Sequence, residues 1–147
     1  MFLRGFLAGM FFVLVGIAVV GMFAKALSQT YLVATLTSFH FDRSKQYNES
    51  NGGIGLEQRF NERWAVSAGF FRNSFDRHTN YIFAGYTPLQ YESWRIGAVM
   101  GGVTGYENGV SPWLTGIATR DYGRIGLNVV FSAAGIALQV KLKLGHD

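Results

Sequence analysis

From Thr30 onward, apolar residues alternate with small or polar ones in short runs broken by polar turns, a period of two that predicts strand after strand. The runs cover 30–41, 53–60, 64–75, 80–89, 94–106, 112–120, 124–133 and 136–144. Most of them reach the ~9–11 residues a tilted strand needs to cross hydrocarbon. In the last run Ile136, Leu138, Val140, Leu142 and Leu144 share one face, while Ala137, Gln139, Lys141 and Lys143 share the other. In the fifth, Trp94, Ile96, Ala98 and Met100 oppose Arg95, Gly97, Val99 and Gly101. Eight such segments, an even number with one bulky apolar face, predict an all-β fold: an eight-stranded antiparallel up-and-down β-barrel. Two arrangements share this pattern. A membrane barrel turns the bulky face to lipid, whereas a soluble or anchored lipocalin-like binder turns it inward.

The segment ahead of the strands bears on that choice. Residues 1–26 read as a hydrophobic signal segment: Arg4, an apolar stretch from Phe6 to Ala24, then Ala24-Lys25-Ala26 in the small-x-small form cut by signal peptidase. The apolar stretch also approaches the ~20 residues of a spanning helix, so a retained inner-membrane anchor is the alternative to cleavage. Residues 27–147 then form the barrel. The leader, and aromatics near strand ends (Trp64, Tyr81, Trp94, Tyr106, Trp113, Tyr122), favour the membrane form. The expected location is the bacterial outer membrane, with a periplasmic or inner-membrane-anchored protein as the alternative.

Composition narrows the chemistry. The chain has 147 residues, 19 glycines, two prolines and no cysteine. It is long enough for one domain, and a disulfide framework, a thiolate metal site and a cysteine nucleophile are excluded. The net charge is +4, but Arg4 and Lys25 lie in the leader, leaving eleven basic against nine acidic groups. These are scattered singly rather than gathered in a stripe, which argues against nucleic acid as a partner and remains compatible with lipid head groups. His78 and His146 have no ligand-spaced partners, so no metal and no cofactor are expected.

Loop lengths gather the remaining polar chemistry at one rim. Asn61-Glu62-Arg63 is a tight turn, whereas Asp42 to Gly52 is a long polar loop. His40, closing the first strand, and Ser74, near the end of the third, therefore share the long-loop rim. Their backbones should stand two strand spacings apart, about 10 Å. A histidine suits proton removal near neutral pH, and a hydroxyl can act as nucleophile or hold an oxyanion. Taken alone, two such residues are more often ordinary rim residues than a catalytic pair.

The order His40, Tyr47-Asn48-Glu49, Gly52-Gly53-Ile54-Gly55-Leu56, Asn73-Ser74-Phe75 and Ala84-Gly85-Tyr86 resembles the lipid A palmitoyltransferase family of outer-membrane enzymes. Gly101-Gly102-Val103-Thr104, Pro112 and Tyr122-Gly123 extend the similarity over nearly all of the chain after the leader. The resemblance implies an eight-stranded, monomeric barrel that moves an acyl chain from a phospholipid to lipid A or a related acceptor. It assigns catalytic roles to His40, Asn73 and Ser74, since the family uses a surface histidine and an adjacent Asp-Ser pair. Asn73 stands where the family has its aspartate and carries no charge. Asp42 and Asp76 are nearby rim carboxylates that could take its place. A non-catalytic barrel that binds lipid or a partner, or is structural, is the competing expectation.

Overall fold

The computed structural model describes residues 29–107 and 109–144, so the expected leader over 1–26 and His146 lie outside the described residues. Eight strands follow one another as β1 (Gln29–His40), β2 (Ser50–Arg59), β3 (Trp64–Arg72), β4 (His78–Tyr91), β5 (Trp94–Thr104), β6 (Val110–Tyr122), β7 (Ile125–Ser132) and β8 (Gly135–Lys143). Each pairs antiparallel with the next, and β8 returns to β1, so the sheet closes. Closure removes the free edges that an eight-stranded open sheet would expose.

Alternation turns the barrel inside out relative to a soluble protein. On β8, Ile136, Leu138, Val140 and Leu142 are exposed, while Lys141 and Lys143 are buried. Elsewhere Leu114 is 71% exposed and Met100 60%, whereas Asn128 is 2% and Lys141 1%. The arrangement with its bulky face inward is thereby overturned.

The half of the lumen towards the short turns is filled by a cross-barrel charge cluster. Lys141 Nζ meets Glu57 at 3.0 Å, Asp121 at 3.2 Å and Thr119 at 2.8 Å, and lies 4.7 Å from the centre of the Tyr31 ring. Arg59 bridges the same two carboxylates, Arg95 adds a bond to Asp121 at 2.5 Å, and Asn128 donates to Glu57 at 3.1 Å. Buried charges are tolerable only when paired in this way. Towards the long loops Tyr81, Val99 and Val103 fill the lumen instead. Tyr81, expected among the strand-end aromatics, is thus an interior residue stacked on Phe83.

The strand ends depart from the sequence pattern for local reasons. β3 stops at Arg72, because Asn73 begins a turn in which Asp76 takes a positive φ of 56°. β4 runs on to Tyr91 through Pro88, which has no amide to donate; a register shift between Tyr86 and Leu89 accommodates it. The second proline, Pro112, lies in the outer third of β6. That third pairs with β5 only, since β6–β7 pairing begins at Gly116.

Connections of 41–49, 73–77, 105–109 and 133–134 gather at one end, against 60–63, 92–93 and 123–124 at the other. The long-loop rim therefore carries His40 and Ser74, as loop length led us to expect.

Candidate functional site

His40 reaches the site through a break in the alternation of β1. Tyr31, Val33 and Thr35 face the lumen, so strict alternation would turn residue 40 outward. A register shift between Thr35 and Thr37, seen against both β2 and β8, puts Leu36 and Thr37 consecutively on the exposed side. From there Phe39 faces out and His40 faces in, its side chain 13% exposed. The extra residue re-aims the histidine, as bulges near barrel rims commonly do.

Ser74 comes from the opposite side of β2. The loop after β1 folds down onto the β3–β4 turn, with Asn48 N donating to Ser74 O at 2.8 Å and Asn48 Nδ2 to Asn73 O at 3.1 Å. Asn51 Nδ2 adds a bond to Arg72 O at 2.8 Å. These clamps close the gap expected between two strands that do not pair. His40 Nε2 and Ser74 Oγ stand 2.8 Å apart.

Aromatic rings wall this pair. Tyr47 stacks on the His40 imidazole with centroids 4.5 Å apart, Phe75 meets both Tyr47 and Tyr106 edge-on, and Tyr106 lies against Trp113. The Ser74 hydroxyl lies near the Tyr106 phenol. Burial pushes this phenol up to about 12, an effect partly offset by the Ser74 hydroxyl, so it is protonated across the physiological range.

Asn73, the third residue expected at the site, has a different set of partners. It is fully buried; its Nδ2 donates to Thr79 Oγ1 at 3.0 Å and Gly105 O at 3.1 Å, and its Oδ1 accepts from Phe75 N at 2.9 Å and Arg77 N at 3.0 Å. Those four bonds use its whole capacity and build the turn that presents Ser74.

Neither rim aspartate reaches His40. Asp42 accepts from Ser44, which holds its carboxyl below the usual range, and Asp76 pairs with Arg72 at 3.3 Å. The carboxylate beside the histidine is Glu49: its Oε1 accepts from His40 N at 3.1 Å and Arg43 Nη1 at 2.5 Å, and lies 3.8 Å from His40 Nδ1. The His40 amide first and the Arg43 charge after it hold the Glu49 carboxyl below the ordinary glutamate range. Its nearness was hidden in the sequence, because eight residues of loop separate the two; Glu49 stood out only as part of the Tyr47-Asn48-Glu49 run. Beside Ser74 an open groove of about 700 Å³ runs between the loops, bordered by Lys45, Tyr47, Phe75 and Arg77.

No family model matches the chain. No curated protein matches it in sequence. Among solved structures it is similar to the outer membrane protein Ail of Yersinia pestis, determined as a backbone structure in a phospholipid bilayer nanodisc. The two are 11% identical, the match covers 79% of this chain and 99% of that one, and the TM-score is 0.46.

Proposed function

We propose that the protein is an outer-membrane acyltransferase, which moves a fatty acyl chain from a phospholipid to lipid A or a related acceptor at its long-loop rim. The observation that carries this reading is the 2.8 Å contact between His40 Nε2 and Ser74 Oγ. A serine hydroxyl is a weak nucleophile until an adjacent base takes its proton. The apolar outer wall and charged lumen support a bilayer setting, because such a surface in water would be an exposed patch far larger than soluble monomers carry.

In the reaction, His40 Nε2 takes the Ser74 Oγ proton as Oγ attacks the ester carbonyl carbon of the phospholipid. Tyr106, near Ser74 and protonated, is placed to donate to the oxygen that gains charge. The tetrahedral intermediate collapses, the carbon–oxygen bond to the lysophospholipid breaks, and the imidazolium returns its proton to that leaving oxygen. An acceptor hydroxyl, deprotonated in turn by His40, then attacks the acyl-serine and frees Oγ. Lys45 and Arg77, bordering the groove beside Ser74, suit the phosphates of both lipids.

Lipid A mass spectrometry of cells expressing the protein tests this. An added acyl mass is expected with the wild type and is lost, by at least about 10²-fold in rate, with His40→Ala or Ser74→Ala. No added mass in the wild type overturns the proposal. A second reading, a non-catalytic barrel that binds lipid or a partner, draws on the lumen: its cavity of about 50 Å³ is far short of the ~150 Å³ that takes one benzene, so no acyl chain fits inside. Under that reading, lipid A is the same in cells with and without the protein.

A further inference from the structure

His40 can accept the Ser74 proton at Nε2 only as a neutral ring whose own proton is on Nδ1. That Nδ1 is buried and has no hydrogen-bond partner. Glu49 Oε1 lies 3.8 Å from it, already anchored to the backbone N–H of the same histidine at 3.1 Å and gripped by Arg43. A closer approach of about 0.8 Å makes the missing bond, and catalytic hydrogen bonds commonly tighten to this degree only when substrate binds.

We infer that Glu49 is the positioning carboxylate of the site, an inference that rests on the acyl-transfer reading of His40 and Ser74. It holds the imidazole in the Nδ1–H tautomer and stabilises the imidazolium formed when Ser74 loses its proton. The groups facing His40 are few. Glu49 approaches from the β1–β2 loop with Arg43 behind it, Tyr47 covers the ring, and Ser74 with Tyr106 behind it occupies Nε2. Arg43 is the one cation in this set; it neutralises part of the carboxylate's charge and in return fixes its position. The charge that Asn73 lacks beside Ser74 is thus supplied from a different loop, on the other side of the histidine.

The test uses the full chain in detergent micelles and an alkyl fluorophosphonate. Ser74 Oγ attacks phosphorus, fluoride leaves, and the hydroxyl proton passes to His40 Nε2. The wild type is expected to label at Ser74 and Ser74→Ala not to label. Glu49→Gln keeps an oxygen to accept from His40 N but removes the charge, and is expected to slow labelling by about 10²-fold or more. Labelling of Glu49→Gln at the wild-type rate overturns the inference and leaves the acyl-transfer reading standing. An unlabelled wild type overturns that reading, and the inference with it. Should Glu49→Gln fail to fold, ¹⁵N-histidine spectra of the wild type decide: the neutral His40 proton is expected on Nδ1, and finding it on Nε2 overturns the assignment.

Discussion

Asn73 shows how a residue beside a nucleophile can serve it without touching the chemistry. Its amide is the hub of the β3–β4 turn, donating to Thr79 and Gly105 and accepting from Phe75 and Arg77. Asn73→Ala is expected to leave buried donors and acceptors unpaired and to cost about 3 kcal/mol, read as a lower unfolding midpoint in detergent. Asn73→Asp should destabilise as well, since it keeps the oxygen that accepts from Phe75 and Arg77 but turns a carboxylate oxygen against the Gly105 carbonyl. It brings no gain in acyl transfer if Glu49 already supplies the charge. In the sequence, Asn73-Ser74 reads as a unit because adjacency is all a sequence displays. The direction each side chain takes depends on a turn whose φ of 56° at Asp76 no composition signals. Glu49 was illegible for the complementary reason, since its contact with His40 arises from a loop doubling back.

At the scale of the element, the eight strands and the two sets of residues that share a face were legible from alternation, because a closed barrel admits only a period of two; which set faces inward was not. The irregularities were not. The shift at Leu36-Thr37 decides that His40 faces the lumen, and nothing in Ala34-Thr35-Leu36-Thr37-Ser38 marks it: the extra residue of β1 shows only in its pairing with β8, while against β2 the extra residue lies on β2. The β4–β5 hairpin carries two further irregularities. Its turn holds Glu92 at a φ of 52°, a left-handed conformation that costs a side-chain-bearing residue about 1–2 kcal/mol. Glu92→Gly is therefore expected to raise stability by about 1 kcal/mol, measured by urea unfolding in micelles. Gly97 faces the shift around Pro88, where a Cβ would stand 1.9 Å from Tyr86 O. The opposite outcome is expected of Gly97→Ala, a loss of about 1–3 kcal/mol in the same assay.

At the scale of the whole molecule, the lumen is occupied. Charges pack the half towards the short turns, and Tyr81, Val99 and Val103 close the other. If acyl transfer takes place at Ser74, the lumen cavity of about 50 Å³ is too small for a hydrocarbon tail, and the chain is expected to lie along the outer wall near Phe39, Phe41 and Phe75. A tail lying against an open wall is not measured for length. The acyl groups transferred are accordingly expected to follow the composition of the phospholipid pool; a single dominant chain length on lipid A from a mixed pool would refute this arrangement.

The seam between β6 and β7 carries one more consequence. Over Val110–Leu114, β6 has no partner on its β7 side, and backbone groups bare to hydrocarbon cost several kcal/mol each. Like the load line on a hull, the point where pairing stops at Gly116 marks how deep the barrel can sit. Five residues of a tilted strand rise roughly 12 Å, so this length of β6 is expected to stand clear of the hydrocarbon, among the lipid head groups.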